Sequence, residues 1–206
     1  MIIGITGYAR SGKTTVAEIL CDDFDYARKH IAKPLRSMCR AILYHSGMTY
    51  QQATNYLEGG NKEDVIPFFG VSSRYLQVTL GTEWGRKLVS PNIWVDLWKV
   101  NLRPGDKVIN DSVRFKNEEH AIGDLGGIVI RVVRPGVGPA VFKFGKFGSV
   151  AYKLTRLKWF IHPSERVDLI SADYTIVNDG TVEDLRQKVT PILTIERTRR
   201  RETNNG

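Results

Sequence analysis

The sequence predicts an α/β protein built on one doubly wound, mainly parallel sheet with helices on both faces. Two observations predict it. Short apolar, β-branched runs alternate along the chain with stretches of helical period, as in successive β-α-β units. The first run, Met1 to Ile5, feeds directly into Gly7-Tyr8-Ala9-Arg10-Ser11-Gly12-Lys13-Thr14, a full match to G-x-x-x-x-G-K-[ST]. The amphipathic stretch that follows (Val16, Ala17, Ile19, Leu20) supplies the strand-turn-helix context that such a phosphate loop requires.

Each residue type in that loop has a physical task. Gly7 and Gly12 allow backbone conformations that a Cβ would block, so that successive N–H groups point inward at phosphate oxygens. The positive end of the helix starting near Lys13 adds to the same anion site. Lys13 neutralises β/γ-phosphate charge, and the Thr14 hydroxyl is the ligand expected for Mg²⁺. Gly7, Arg10, Ser11, Gly12, Lys13, Thr14 and Thr15 are therefore the expected contacts of a bound ATP.

The remaining elements follow in order. Tyr26 to Ala32 reads as a second strand ending at Lys33-Pro34, and Leu35 to about His45 as a helix with Leu35, Met38, Ile42 and Leu43 on one face. Arg36, after that strand, is placed near the ligand crevice or is an ordinary solvated charge. Thr49 to Leu57 is a short helix, and Glu58 to Lys62 a loop. Ser73 to Val89 has helical period (Leu76, Leu80, Trp84, Leu88), although Gly81 and Gly85 lie inside it. Each costs about 1 kcal/mol relative to alanine in a helix, so a close approach by a ligand or a neighbouring helix is expected there. Ile93 to Leu102 is an aromatic-rich helix, Lys107 to Asn110 a strand, Asn117 to Leu125 a helix and Gly127 to Val133 a strongly apolar strand. Residues 135–160, rich in Gly, Phe and Lys, show no period. Tyr174 to Val177 is the last strand, and Val182 begins a helix that Pro191 is expected to kink or end. Residues 1–195 read as one domain, with 135–160 as a lid-like basic insertion and 196–206 as a disordered basic tail.

At 206 residues and 42% hydrophobic content the chain can bury a sizeable core. It has no run long enough to span a membrane and no signal peptide, so a cytoplasmic location is expected. Cys21 and Cys39 lack metal spacing and are expected to be reduced, buried thiols. The formal charge of +8 raises the question of nucleic acid. Between Asp124 and Glu165 there are seven basic residues and no acidic ones, and Arg197 with Arg199 to Arg201 forms a second cluster. An enzyme handling two polyanionic nucleotides needs such charge as well, and no stripe of aromatic residues for base stacking is present, so nucleic acid is the weaker reading.

Asp111 ends a short apolar strand, where phosphate-loop enzymes keep a Mg²⁺-associated carboxylate, and Arg114 offers a planar fork suited to a phosphate. The structural alternative is an Asx turn capping the next helix, with Arg114 paired to Glu118.

Taken with the phosphate loop, several blocks in a fixed order resemble the deoxynucleoside monophosphate kinases of tailed bacteriophages. They are LQVTLGTEWGR at 76–86 with Trp94 soon after, DSVRFKNEEHAI at 111–122, GGIVIRVVRP at 126–135, HPSE at 162–165 and ADYTIVNDGTVEDL at 172–185. The resemblance implies transfer of the ATP γ-phosphate to a 2′-deoxynucleoside 5′-monophosphate, in the host cytoplasm, by a homodimer. It implies substrate contacts at Arg74, Gly81, Thr82, Trp94, Asp111, Arg114 and Glu118, with Lys13, Asp111 and Arg114 catalytic. Two departures stand out. Two residues, Ser112 and Val113, separate Asp111 from Arg114 where the family has one, so either Asp111 bulges out or Ser112 takes its place. Gln77 lies one residue further from Gly81 than the pattern expects, and is left out of the site. His162 in HPSE is either a substrate contact or part of a helix cap formed by Ser164 and Glu165.

Such a reaction needs no general base, because the acceptor phosphate is already ionised. Positioning and charge neutralisation carry it, with a cation from 135–160 or Arg134 arriving on closure. A passive basic insertion is the alternative for that segment. Two other functions compete: another small-molecule kinase resembling dephospho-coenzyme A kinase, and a nucleic-acid-binding ATPase.

Overall fold

The computed structural model describes residues 1–138 and 163–204. In chain order the elements are β1 (Ile2–Thr6), α1 (Lys13–Phe24), β2 (Ala27–Arg28), α2 (Lys33–His45), α3 (Tyr50–Leu57), β3 (Val65–Ile66) and β4 (Val71–Ser72). Then come α4 (Ser73–Val78), a π-helical segment (Thr79–Val89), α5 (Ile93–Val100), β5 (Val108–Asn110), α6 (Lys116–Asp124), β6 (Ile128–Val133), β7 (Tyr174–Val177) and α7 (Val182–Asn204). No helix among the described residues is long and apolar enough to cross a membrane.

The chain divides into two compact units, Met1–Lys29 with Pro104 onward, and His30–Arg103. The expected single domain thus comprises two bodies, because residues 30–103 bury a core of their own.

The first unit holds a five-stranded sheet in the order β2-β5-β1-β6-β7, with every pairing parallel. All five strands of β1 to β7 in this sheet therefore end at the same edge. Alternation along β1 sets the two faces. Ile3 and Ile5, both fully buried, enter a core with Val16, Leu20, Leu185, Val189 and Leu193, contributed by α1 and α7. Each such isoleucine contributes about 1.5–3 kcal/mol by leaving water. Gly4 between them faces the other way, where a Cβ would lie 2.6 Å from the Ile122 side chain of α6. Helices therefore cover both faces, as the alternating pattern predicts, and the α/β fold with its parallel sheet stands.

Several boundaries differ from the sequence reading. The second strand is two residues rather than seven. It is an edge strand whose partner, β5, has only three residues and ends at Asn110; the Lys29 N–H donates to the Ile109 carbonyl next to that end. The tail expected to be disordered is helical as far as Asn204. Glu196 is 6% exposed and accepts from the Tyr174 hydroxyl at 2.7 Å, while Arg200 donates to the Gly126 carbonyl. These contacts tie the last turns to the sheet. Nor does Pro191 end the helix: it is exposed, and Ile192 and Leu193 beside it are buried in the core. The lid-like segment falls largely outside the described residues.

The second unit packs Cys39, Leu43, Ala53, Leu57 and Ile66 around a small core of its own. Burial pushes the Cys39 thiol up to about 12, which keeps it neutral and inert. Cys21, expected to be buried, is half-buried, and both cysteines are free. The loop after α3 contains a 3₁₀ turn (Gly60–Glu63) and leads to the antiparallel pair β3–β4, whose two-residue strands are too short to leave a period in the sequence.

The two glycines inside the predicted helix have a packing cause. After Val78 the helix widens to π geometry, and the Trp94 indole packs against Gly85 in the widened turns. Its ring is 2.5 Å from where a Cβ on Gly85 would stand, and its N–H donates to the Gly81 carbonyl at 2.8 Å. The close approach expected there is an aromatic ring from α5.

Candidate nucleotide-binding site

In an open parallel sheet, ligands bind beyond the carboxyl ends of the strands. The phosphate loop leaves β1 at that edge. Gly7 (φ 144°) and Gly12 (φ 102°) take conformations open to glycine, and Arg10 (φ 67°) is left-handed as well. Left-handed residues set into a loop before a helix are the backbone pattern from which anion-binding nests are made, although the Ser11 N–H is itself donated to the Tyr8 carbonyl at 3.2 Å. Gly12 also caps α1, whose first residue is Lys13. The Lys13 ammonium donates to the Tyr8 carbonyl at 2.7 Å, bridging the loop across its mouth. Thr14 is exposed on the first turn of α1, and Thr15 is half-buried behind it. Ser11 is 1% exposed, with its Oγ unpartnered among the described residues.

A cleft opens beside the loop, with Gly7, Tyr8, Ser11, Arg134, Val167 and Asp168 among its lining residues. Arg134 is exposed at this cleft, just past the end of β6.

One of the two strands neighbouring β1 is β5, parallel to it, so Asp111 leaves the sheet at the same edge as Gly7. The extra residue there is absorbed as a bulge. Ile2 pairs with Val108, and the Val108 N–H donates to the Met1 carbonyl. A regular parallel ladder then takes every second donor, so residue 112 is due at the Ile5 carbonyl. Instead the Val113 N–H reaches Ile5, at 3.1 Å. One residue too many lies between Asn110 and Val113, and the chain loops out over Asp111 and Ser112. The Ser112 hydroxyl turns back to the Asn110 side chain at 3.2 Å. Asp111, 9% exposed, is left as the acidic residue of the bulge.

The bulge ends at Arg114, whose partner differs from the one weighed on sequence. Glu118, 4% exposed, accepts from the main-chain N–H groups of Arg114 (2.7 Å) and Phe115 (3.4 Å), closing the first turn of α6. The guanidinium pairs with Glu165 instead. Its Nη1 is 2.9 Å from Glu165 Oε1 and 3.0 Å from the Ser164 carbonyl. Glu165 is 2% exposed, whereas the Arg114 side chain is 30% exposed. A buried carboxylate thus anchors one edge of a fork that still reaches solvent.

The other expected contacts belong to the second unit. Arg74 pairs with the exposed Glu63 at 2.7 Å. Gly81 and Thr82 are buried in the π-helical segment. Trp94, 3% exposed, has its ring packed and its N–H engaged by Gly81. Gln77, left out of the site, bonds to the Leu57 carbonyl and the Ser73 hydroxyl within the unit. His162 lies outside the described residues.

Sequence reasoning missed the roles of Glu165 and Asn178. Glu165 belongs to the HPSE block, where Ser164 followed by Glu165 reads as a helix cap; in the structure Pro163–Glu165 is a 3₁₀ turn. Asn178, directly after β7, donates through Nδ2 to the Ser11 carbonyl at 2.9 Å. Its signal was a polar residue at the end of a strand, on the edge where the phosphate loop begins.

No family model matches the chain. A protein of Acanthamoeba polyphaga mimivirus described as "Putative deoxynucleotide monophosphate kinase" is 27% identical over 208 residues, covering 92% of this chain and 94% of that one. Among solved structures the chain is similar to TT1252 from Thermus thermophilus (TM-score 0.44, 18% identity, 94% and 96% covered). It is also similar to dephospho-CoA kinase from Campylobacter jejuni (TM-score 0.42, 14% identity, 95% and 96% covered). The viral relative comes from a mimivirus rather than a bacteriophage.

Proposed function

We propose that this chain is an ATP-dependent deoxynucleoside monophosphate kinase, moving the γ-phosphoryl group of ATP to a 2′-deoxynucleoside 5′-monophosphate in the supply of DNA precursors. The observation that carries the reading is a phosphate loop with left-handed backbone at the end of β1, together with a separately anchored guanidinium, Arg114, after the adjacent strand. A bare ATPase has use for the first and none for the second. The mimivirus relative, matched over nearly its whole length, supports the same reading.

In this account residues 7–15 hold the ATP phosphates, and Lys13 leaves the Tyr8 carbonyl to pair with them. Arg114, steadied by Glu165, grips the acceptor phosphate and offsets repulsion between two approaching anions. Arg134 lines the cleft beside the loop and supplies further positive charge. Arg74, Gly81 and Thr82 are assigned to the acceptor nucleoside. Trp94 serves by holding the Gly81 main chain, since its own polar atom is engaged. Glu118 serves by fixing the Arg114 backbone.

Mg²⁺ suits the donors present. The Thr14 hydroxyl and the Asp111 carboxylate are hard oxygen ligands, and no cluster of three or more His, Cys, Asp or Glu is gathered among the described residues. Mg²⁺ binds in that way, through one or two protein oxygens together with substrate phosphates and water. When bound it neutralises phosphate charge.

The test is ADP release from ATP and Mg²⁺ in the presence of each deoxy- and ribonucleoside monophosphate in turn. Stimulation by one or more deoxynucleoside monophosphates, with ribonucleotides weaker, is expected. ADP release that ignores every monophosphate but responds to dephospho-coenzyme A or to DNA replaces the reading by one of its two competitors.

A further inference from the structure

We infer that Asn178 is a positioning residue of the phosphate loop: its side-chain amide fixes the Ser11–Gly12 peptide so that the Gly12 N–H is preset as a phosphate donor. The inference rests on residues 7–14 binding a polyphosphate, and on nothing about the acceptor.

Three observations carry it. The Asn178 Nδ2 donates to the Ser11 carbonyl at 2.9 Å, a buried bond joining residues 167 apart in sequence. The same nitrogen lies 2.3 Å from where a Cβ on Gly12 would stand, so the amide rests directly against the Gly12 Cα. Asn178 is itself held. The residue is 8% exposed, and its main-chain N–H donates to the Val133 carbonyl at 2.7 Å, continuing the β6–β7 pairing by one residue. The clamp is thus mounted on the sheet rather than on a loop.

Peptide geometry turns that contact into a function. All peptide bonds of the described chain are trans, and across a planar trans peptide the C=O and the following N–H point in opposite directions. Holding the Ser11 oxygen toward Asn178 therefore aims the Gly12 N–H away from it. No acceptor for that N–H is found among the described residues. An N–H at a helix N-terminus, aimed and unspent, is a donor reserved for an anion. Without the amide, the peptide plane is free to rotate about the two flanking bonds, and glycine at position 12 does nothing to restrain it. Asn178 thus supplies the rigidity that glycine withholds. It also gives residue 12 a second reason to be glycine, independent of its positive φ.

The test compares tripolyphosphate with ATP, because tripolyphosphate has phosphates and no base. Dissociation constants for both, measured by calorimetry, are compared for the wild type, Asn178→Leu and Asn178→Ala, with melting temperature recorded for each. Both variants are expected to weaken tripolyphosphate and ATP by the same factor, about tenfold, as befits one lost preset hydrogen bond. If ATP weakens while tripolyphosphate does not, Asn178 touches the nucleoside and the clamp is refuted. If only the melting temperature falls, its role is structural and the clamp is again refuted. Failure of the wild type to bind tripolyphosphate refutes the phosphate-loop reading itself, a distinguishable result. Should a variant not fold, side-chain amide exchange in the wild type still decides: the clamp requires slow exchange of the Asn178 amide protons with and without tripolyphosphate, and fast exchange overturns it.

Discussion

Lys13→Ala is expected to lower kcat by on the order of a hundredfold or more while leaving thermal stability almost unchanged. The lysine is asked to stabilise charge that spreads over the transferred group, and it stands at the end of the loop as the first residue of α1. Its ammonium donates to the Tyr8 carbonyl at 2.7 Å, a half-buried bond to a main-chain oxygen that water replaces at little cost. The catalytic and structural consequences therefore separate. Steady-state turnover with saturating monophosphate, alongside a thermal melt, checks both. Turnover near that of the wild type contradicts the assignment of residues 7–14 as the donor site.

Arg114→Lys is expected to reduce kcat/KM for the monophosphate by about 30- to 1000-fold, or roughly 2–4 kcal/mol, with KM for ATP within a few-fold of the wild type. Lysine keeps the charge and loses the fork. In this site the fork has two jobs at once: one nitrogen is committed to Glu165 Oε1 and the Ser164 carbonyl, and the outer edge remains for phosphate. A point charge satisfies one job or the other. The buried setting of Glu165 makes removal of the charge, as in Arg114→Ala, the wrong experiment, since an uncompensated buried carboxylate destabilises the fold by itself. Glu165→Gln is the companion variant: it keeps a hydrogen-bond acceptor for Arg114 and removes the ion pair. If Arg114→Lys alters only the melting temperature and leaves monophosphate KM and kcat intact, Arg114 braces the HPSE turn and the acceptor phosphate falls to Arg74.

The fold was legible because its signals are strong ones. Met1 to Ile5 and Gly127 to Val133 are apolar runs with few alternatives to a buried strand, and the phosphate loop between the first strand and a helix orders the rest. Strand length was not legible at Tyr26 to Ala32. An edge strand stops where its neighbour stops, and β5 gives it only three residues. The C-terminal tail misled by composition: a run of arginines reads as solvated, yet Arg200 finds the Gly126 carbonyl and Glu196 finds Tyr174, contacts between residues far apart in sequence. The same limit explains the site. Loop residues 7–15 are contiguous, so spacing alone exposed them. The additional residue before Arg114 was visible as a departure, but only the shifted ladder at Val113 shows that a bulge absorbs it. The Arg114–Glu165 pair spans 51 residues and the Asn178–Ser11 clamp 167, and no local pattern encodes such partners.

The measurement that tests the central claim most directly follows a labelled γ-phosphate from ATP in the presence of a deoxynucleoside monophosphate. The account predicts that the label appears in the corresponding deoxynucleoside diphosphate in step with ADP, and that Arg114→Lys suppresses this transfer without exposing a comparable release of free phosphate. Label recovered only as inorganic phosphate, with the monophosphate unchanged, contradicts it.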